Sequence, residues 1–141
     1  MTEPVTQVRA APVVTHHRLE DMVGGWFVGA FSPAALHTDA AEVSVKHYRA
    51  GDVEDSHEHR IATEVTLLLH GRALMCGREV VAGDILTLPP GTPTAFAALE
   101  DCTTVVVKTP SVLGDKHVAP DPFHTLTRLT PAPDAPAGEQ P

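Results

Sequence analysis

The sequence predicts an all-β fold, built as a single domain within 141 residues. Short apolar or alternating segments recur at a spacing of roughly 8–12 residues, which is typical of sandwiches and barrels. Gly, Pro, Asp and Ser separate these segments, and almost none of the chain has the periodicity of a helix. A helix is predicted only around 19–23 or 33–36, as one or two turns.

Each strand is predicted from an apolar or alternating run that ends at turn-forming residues. The run 65–69 is largely apolar on both faces, so this strand should be covered by the core on one side and by a second subunit on the other. The hairpin turn at 76–78 has two registers that the sequence leaves open, a type I′ turn at Cys76-Gly77 or a type II′ turn at Gly77-Arg78. In chain order, the predicted strands cover 26–31, 43–48, 65–69, 73–75, 79–81, 85–88 and 102–108.

Both ends of the chain differ in composition from the middle. Residues 1–15 have no steady periodicity and are predicted to be a flexible segment, whereas 16–118 form the predicted barrel domain. Residues 119–141 contain six of the thirteen prolines, so this Pro/Ala-rich tail is expected to be mostly disordered because it buries little apolar surface. A short piece at 123–126 is a candidate to pack back on the domain.

The composition favours a soluble, acidic protein of the cytoplasm. A formal net charge of −8 without a cluster of Lys or Arg argues against nucleic acid and anionic membrane surfaces as partners. No segment approaches the roughly 18 apolar residues that span a bilayer, and the start of the chain lacks the pattern of a signal peptide. Cys76 and Cys102 fit reduced thiols better than a disulfide framework.

The segment 51–71 carries the residues with the most chemical information. His57 and His59 are two positions apart, so in a strand their imidazoles point to the same face. Glu64 begins the next predicted strand, and the short connection through 60–63 can bring its carboxylate beside them. Two His and one carboxylate on one face suit Fe(II), and such ligands also take Mn, Ni, Co or Zn. We therefore predict His57, His59 and Glu64 as metal ligands and catalytic residues, against the alternative of a polar strand edge that faces water.

The spacing Gly-x5-His-x-His-x4-Glu-x6-Gly, from Gly51 to Gly71, resembles the first motif of the cupin superfamily. A second motif, Gly-x5-Pro-x-Gly, begins at Gly83 at a compatible distance. The resemblance covers about 20–118, a length in line with one domain. It implies a double-stranded β-helix, which is a jelly-roll-like barrel, often as a homodimer, with a divalent transition metal inside the barrel mouth. The family includes isomerases, epimerases, dehydratases, lyases, decarboxylases, dioxygenases and binding proteins, so the fold does not choose the reaction.

One position departs from the pattern of that family. The resemblance implies a fourth ligand, a His, three residues after Gly91, where this chain has Thr94. The Asn that closes the motif corresponds to Ala98. Because a Thr hydroxyl is a weak metal ligand beside an imidazole, the site is either a three-ligand site with more open coordination or one with poor affinity. Thr94 itself is predicted to be a hydroxyl that lines the barrel.

Further candidates for the wall of a pocket are Thr94, Phe96, Lys46, Tyr48 and Lys108. Lys46 and Tyr48 share the polar face of one predicted strand, and this face either lines a cavity or meets solvent. For both lysines, the interpretation that we favour from the sequence is solvent, since Lys is mostly exposed in folded proteins.

The first functional hypothesis is an enzyme that acts on a small polar molecule, such as a sugar-like or secondary-metabolite intermediate. Its metal would act as a Lewis acid while a nearby base moves a proton, as isomerisation, epimerisation, dehydration and lyase reactions require. Two alternatives stay open, an Fe(II) dioxygenase and a non-catalytic module that binds a metabolite in the barrel. A further variant is a barrel without a metal, in which His57 or His59 serves as a plain acid or base.

Overall fold

The computed structural model describes residues 2–5 and 9–128. In this part of the chain three helical segments are present, each a single 3₁₀ turn: Leu19–Asp21, Val23–Gly25 and Leu126–Arg128. None of these is long enough to cross a membrane. The strands of the described residues are β1 (Trp26–Gly29), β2 (Leu36–His37), β3 (Glu42–Tyr48), β4 (Val53–His59), β5 (Thr63–His70), β6 (Arg72–Met75), β7 (Arg78–Val81), β8 (Ile85–Leu88), β9 (Thr94–Ala98), β10 (Cys102–Thr109) and β11 (Lys116–Val118).

The strands form two sheets that face each other, which confirms the predicted all-β class. One sheet has six strands in the order β2-β1-β3-β10-β5-β8, and the other has five in the order β11-β4-β9-β6-β7. All the paired strands are antiparallel except β1 and β2. The apolar core lies between the sheets, because it draws side chains from both of them: Leu68 and Leu88 from the first, and Ala73, Met75, Val80 and Phe96 from the second.

Besides β4, which the sequence analysis assumed around His57 and His59 without giving bounds, three strands were not predicted from the sequence. The strand β9 is buried along its whole length, so it lacks the alternation that marks a half-exposed strand. The Pro-rich segment 89–93 directly before it also reads as a break. β2 and β11 have two and three residues, too few to show any period. Of the two predicted helical segments, the first is present as short 3₁₀ turns, whereas 33–36 is irregular and ends in β2.

The hairpin between β6 and β7 adopts one of the two registers left open. Met75 pairs with Arg78, so the loop consists of Cys76 and Gly77 alone. Both loop residues have positive φ, 52° and 72°, as a type I′ turn requires. Gly77 is needed for a second reason, because a Cβ at this position would lie 2.9 Å from the ring of Phe123.

Packing continues beyond residue 118, the predicted end of the barrel domain. Thr125 is 1% exposed, and the carboxylate of Asp121 accepts hydrogen bonds from the backbone N–H groups of Phe123 and Thr125. The piece at 123–126 therefore lies on the barrel, as the sequence suggested. The rest of the predicted tail, residues 129–141, lies outside the described residues. At the other end, residues 9–15 are exposed and have no regular structure.

Candidate metal centre

His57, His59 and Glu64 come together on the inner face of the barrel. β4 supplies the two histidines, and Glu64 lies at the start of β5 beyond a short turn. All three side chains line one cavity of about 390 Å³ between the sheets. One ligand atom from each residue lies within 4.8 Å of the others, and the Nε2 atom of His59 is 3.7 Å from the Oε1 atom of Glu64. The two imidazole rings meet edge to face, with centroids 5.1 Å apart.

Backbone carbonyl groups fix the orientation of both histidine rings. The Nδ1 atom of His57 lies 3.1 Å from the carbonyl oxygen of Asp55, and the Nδ1 atom of His59 lies 3.0 Å from that of Asp115. Because a carbonyl oxygen only accepts hydrogen bonds, each Nδ1 carries a hydrogen, and in a neutral ring Nε2 then carries none. The lone pair is then on Nε2, the arrangement that metal-binding histidines use. The donor set and its tautomers therefore fit a divalent transition metal.

Burial keeps both imidazoles neutral. Burial and the ammonium group of Lys108 lower the pKa of His59 to about 4, and burial lowers the pKa of His57 below its ordinary value. Burial has the opposite sign for a carboxyl group, so the pKa of Glu64 is raised. A neutral imidazole needs no deprotonation before it binds a cation, so the two rings are ready to act as ligands.

A β-bulge places Glu54 in the same cavity. β4 pairs with β9 through Glu54 and Phe96 and again through His57 and Thr94. Three steps along β4 therefore match two steps along β9, so β4 contains one extra residue. In a regular strand, Glu54 and His57 would point to opposite faces, but the bulge turns both side chains inward. Strict alternation in the sequence could not reveal this carboxylate.

Thr94 lies beside the three candidate ligands, but its hydroxyl bonds with other groups of the protein. It is the cross-strand partner of His57 and is 4% exposed. Its hydroxyl is 3.3 Å from the sulfur of Cys76 and 3.4 Å from the carbonyl oxygen of Ala95, to which it donates. Thr94 thus occupies the wall of the barrel as a lining hydroxyl, next to the position at which a fourth ligand would reach the centre.

The expectation that Lys46 and Lys108 meet solvent is wrong. The polar face of β3 points into the barrel, and both lysines line the cavity, with side chains 26% and 15% exposed. The ammonium group of Lys46 lies 3.5 Å from Glu54, and that of Lys108 lies 3.1 Å from Glu42. The error arose because alternation separates two faces of a strand but does not say which of them is inside.

Lys108 also stands next to the candidate ligand Glu64. β10 runs between β3 and β5, and Lys108 is the register partner of Glu42 on one side and of Glu64 on the other. Directly paired side chains on one face of a sheet have Cβ atoms roughly 5 Å apart. The three residues therefore form a row in which one cation lies between two carboxylates.

Tyr48 and Phe96, two other residues predicted for the pocket, pack against each other on the cavity wall. Their ring centroids are 4.6 Å apart. The hydroxyl of Tyr48 donates a hydrogen bond of 2.7 Å to the Oε1 atom of Glu54. Burial and the adjacent carboxylate raise the pKa of Tyr48, so the phenol stays neutral. Burial acts to raise the pKa of Glu54, but Lys46 and the hydrogen bond from Tyr48 outweigh it, so this pKa is lowered.

Among the other residues that line the cavity, three contact the groups described above and were not singled out in the sequence analysis. Trp26 lies beneath the two lysines, with its ring centroid 5.2 Å from Lys46 Nζ and 4.6 Å from Lys108 Nζ. Glu42 is the buried partner of Lys108. Asp115 follows β10 and binds the turn that leads from β4 to β5. Glu42 could have been found from its position on the face of β3 that carries Lys46.

The known proteins that resemble this chain were found through structure. No family model matches the chain, and no curated protein matches it. An uncharacterized conserved protein with a double-stranded β-helix domain from Klebsiella pneumoniae is 25% identical, with a TM-score of 0.55 over 60% of this chain and 79% of that one. KdgF from Halomonas sp. is 22% identical, with a TM-score of 0.50 over 55% of this chain and 74% of that one.

A third match is the DMSP lyase DddQ from Ruegeria pomeroyi, which is 21% identical with a TM-score of 0.55. The match covers 69% of this chain, which spans about half, 51%, of that lyase. At these identities the matches show the fold, which is the double-stranded β-helix that the motif resemblance implied. They leave the reaction to be argued from the cavity itself.

Proposed function

Because the chain has the double-stranded β-helix fold of the cupin superfamily, we propose that it is a metal-dependent enzyme of the isomerase, epimerase, dehydratase or lyase type. The observation that carries this proposal is the meeting of His57, His59 and Glu64 within 4.8 Å, inside a cavity large enough for a small substrate. Both imidazoles are oriented by carbonyl groups with Nε2 free to bind.

In this proposal His57, His59 and Glu64 hold a divalent transition metal, whose bound form supplies Lewis acidity toward a carbonyl or hydroxyl oxygen of the substrate. Three protein ligands leave further coordination positions for substrate and water. The apolar part of the wall excludes water from the same space, which strengthens the electrostatic interactions there: Phe31, Pro33, Met75, Phe96, Val106 and Val112.

The pair of Tyr48 and Glu54 is the proposed route for the proton. A proton taken from the substrate by the oxygen of Tyr48 is balanced by transfer of the phenolic proton to Glu54 along their 2.7 Å hydrogen bond. The reverse transfers return a proton to the substrate. Lys46, 3.5 Å from Glu54, stabilises the carboxylate before the transfer. Reactions that remove and replace a proton, or that eliminate a leaving group, can use such a pair.

An Fe(II) dioxygenase is the second candidate, favoured by one observation. Thr94 occupies the position of the fourth ligand in the motif, but its hydroxyl is directed to Cys76 and Ala95. The coordination that this leaves open is what oxygen and substrate would both need. Oxygen consumption by the iron-loaded protein separates this candidate from the first, because isomerases and lyases consume none.

The test of the proposed centre is the metal content of the purified protein. Wild type should contain one divalent metal per chain, and the double variant His57→Ala/His59→Ala should contain none. His47→Ala is the matched control, because His47 is exposed on the outer face of β3 and bonds only with Thr103 among the contacts seen in the described residues. Equal metal content in wild type and double variant would refute the proposed ligands.

A further inference from the structure

We propose that the substrate of this site is a carboxylate, and that its carboxylate group binds Lys46 and Lys108 beside Trp26. The inference names the substrate class of the reaction proposed above and rests on that proposal. Binding can nevertheless be measured without turnover and with or without metal. The argument starts from the position of the two ammonium groups.

Two cations share one indole ring inside the cavity. Lys46 Nζ is 5.2 Å and Lys108 Nζ is 4.6 Å from the centroid of Trp26. The face of an indole attracts a cation, but two cations at the same ring also repel each other. Partly burying an ammonium group costs free energy unless acceptors replace its water. An anion between the two lysines would offset both costs.

The carboxylates already present do not use all the donors of the lysines. Each ammonium group has three N–H donors, and each contacts one carboxylate among the described residues. The Oε1 atom of Glu54 is shared, because it also accepts the hydroxyl of Tyr48 at 2.7 Å. Glu42 is likewise shared, because the hydroxyl of Ser111 donates to its Oε1 atom at 2.9 Å. Donors on both lysines therefore remain for a ligand.

The charges and the lining favour a carboxylate over a phosphate. Glu42 and Glu54 stand beside the lysines, so a dianion would be repelled more strongly than a monoanion. No arginine lines the cavity in the described part of the chain, whereas phosphate sites commonly use one. Apolar side chains form much of the remaining wall, which suits the carbon skeleton of an organic acid.

The location of Lys108 links this subsite to the proposed centre. Lys108 is the register partner of Glu64, so a carboxylate bound to its ammonium group lies beside the candidate ligands. The substrate would then present the atoms next to its carboxylate toward His57, His59 and Glu64. The pair of Tyr48 and Glu54 would remove a proton from the carbon next to that carboxylate.

Binding can be followed by the fluorescence of Trp26, because it is the single tryptophan of the chain. Its fluorescence is followed as the full-length protein is titrated with acetate, lactate and cyclohexanecarboxylate, each compared with its neutral amide, and with inorganic phosphate. We expect at least one carboxylate to give a saturable change, at least about tenfold tighter than its amide. Phosphate that binds more tightly than every carboxylate would overturn the choice of ligand.

The variants test which groups bind the carboxylate. Lys46→Met should weaken its affinity about tenfold. Lys108→Met/Glu42→Gln should do the same, although it removes a cation and an anion together and leaves no unpaired buried charge. Glu42→Gln alone should tighten binding, because it removes a competing negative charge. Arg49→Met, at an exposed position after β3, is the control and should change nothing.

Titrations before and after treatment with a chelator separate the two proposals. Affinity that depends on the lysines in both states supports the subsite, even if the protein contains no metal and the proposed centre fails. Affinity that disappears with the metal and is equal in wild type and Lys46→Met would assign the anion to the metal and overturn the subsite. The absence of any saturable change in either state would overturn it as well.

Discussion

Asp115 holds the ring of His59 with its backbone and the turn after His59 with its side chain. Its carbonyl oxygen lies 3.0 Å from the Nδ1 atom of His59. Its carboxylate accepts backbone N–H groups of Arg60, Ile61 and Ala62 at 2.9 to 3.1 Å. These three residues lie between the candidate ligands His59 and Glu64, so one residue from a distant part of the chain fixes both the ring and the connection.

We expect Asp115→Asn to weaken metal binding about 10- to 100-fold, the range for residues that orient metal ligands. The amide keeps the shape of the side chain but loses the charge and one acceptor, so unfolding should also become easier by roughly 2 kcal/mol. Competition with a chelator and thermal unfolding of the apoprotein give the two quantities separately.

Asp121→Asn is the matched control for this prediction. Asp121 also accepts two backbone N–H groups, those of Phe123 and Thr125, but it lies in the segment after the barrel. Its variant should lose stability while it retains metal as wild type does. If Asp115→Asn bound metal as tightly as Asp121→Asn, the positioning role of Asp115 would be excluded.

Thr94→His should tighten metal binding, because Thr94 is the cross-strand partner of His57 and faces the same cavity. An imidazole at this position would add a fourth ligand and fill an open coordination position. Thr94→Phe is the control for bulk, since it adds a ring without a nitrogen. Chelator competition should show slower metal loss from Thr94→His alone. Equal losses from the two variants would mean that position 94 does not reach the metal.

The hydroxyl of Tyr48 should resist ionisation far above its ordinary pKa of 10.0. Tyr48 is the single tyrosine of the chain, so absorbance of the phenolate at alkaline pH reports on it alone. We expect little phenolate in the folded protein at about pH 11, one unit above the ordinary value. Glu54→Gln should lower this pKa, because it removes the negative charge that opposes ionisation.

Circular dichroism at each pH is needed as the control for the Tyr48 titration, because unfolding would expose the phenol. Lys46→Met should shift the pKa of Tyr48 less than Glu54→Gln does, since Glu54 bonds directly with Tyr48 whereas Lys46 contacts Glu54. A folded protein that ionises near pH 10 would contradict the hydrogen bond on which the proton route depends.

The candidate ligands could be predicted from the sequence because they lie close together in the chain. His57 and His59 share a face by simple alternation, and four residues connect His59 to Glu64. Glu54 was missed because a bulge changes the face of a strand without any mark in the pattern. Asp115 was missed because its contacts with 60–62 depend on tertiary structure and not on spacing.

The lysines show a different limit. In β3 the polar face, with Lys46 and Tyr48, turns inward, whereas the apolar face, with Val43 and Val45, turns outward. The usual expectation that apolar residues face the core is inverted where a barrel encloses a polar cavity. Alternation identified the two faces correctly, but only the closure of the sheet decides which is inside.

The outward face of the six-stranded sheet should form the interface of a homodimer. Leu67 and Val65 point away from the cavity on β5, and the register partner of Leu67 is Ile85, which is 62% exposed on the edge strand β8. Leu69, at the end of β5, is 57% exposed. A contiguous apolar patch of this kind usually marks an interface, so wild type should have twice the 15.0 kDa mass of the chain in light scattering.

Ile85→Asp should convert this dimer into a folded monomer, because it places a charge within the apolar patch while the exposed position of Ile85 limits the cost to folding. Val118→Asp is the control, at a position that is 95% exposed on β11 of the other sheet, and it should remain a dimer. Removal of residues 130–141 should leave a dimer, with twice the mass of the shortened chain, and an unchanged metal content, in keeping with the predicted tail. A wild-type protein with the mass of one chain would refute the interface. If Ile85→Asp remains a dimer, the interface must lie on another face of the protein.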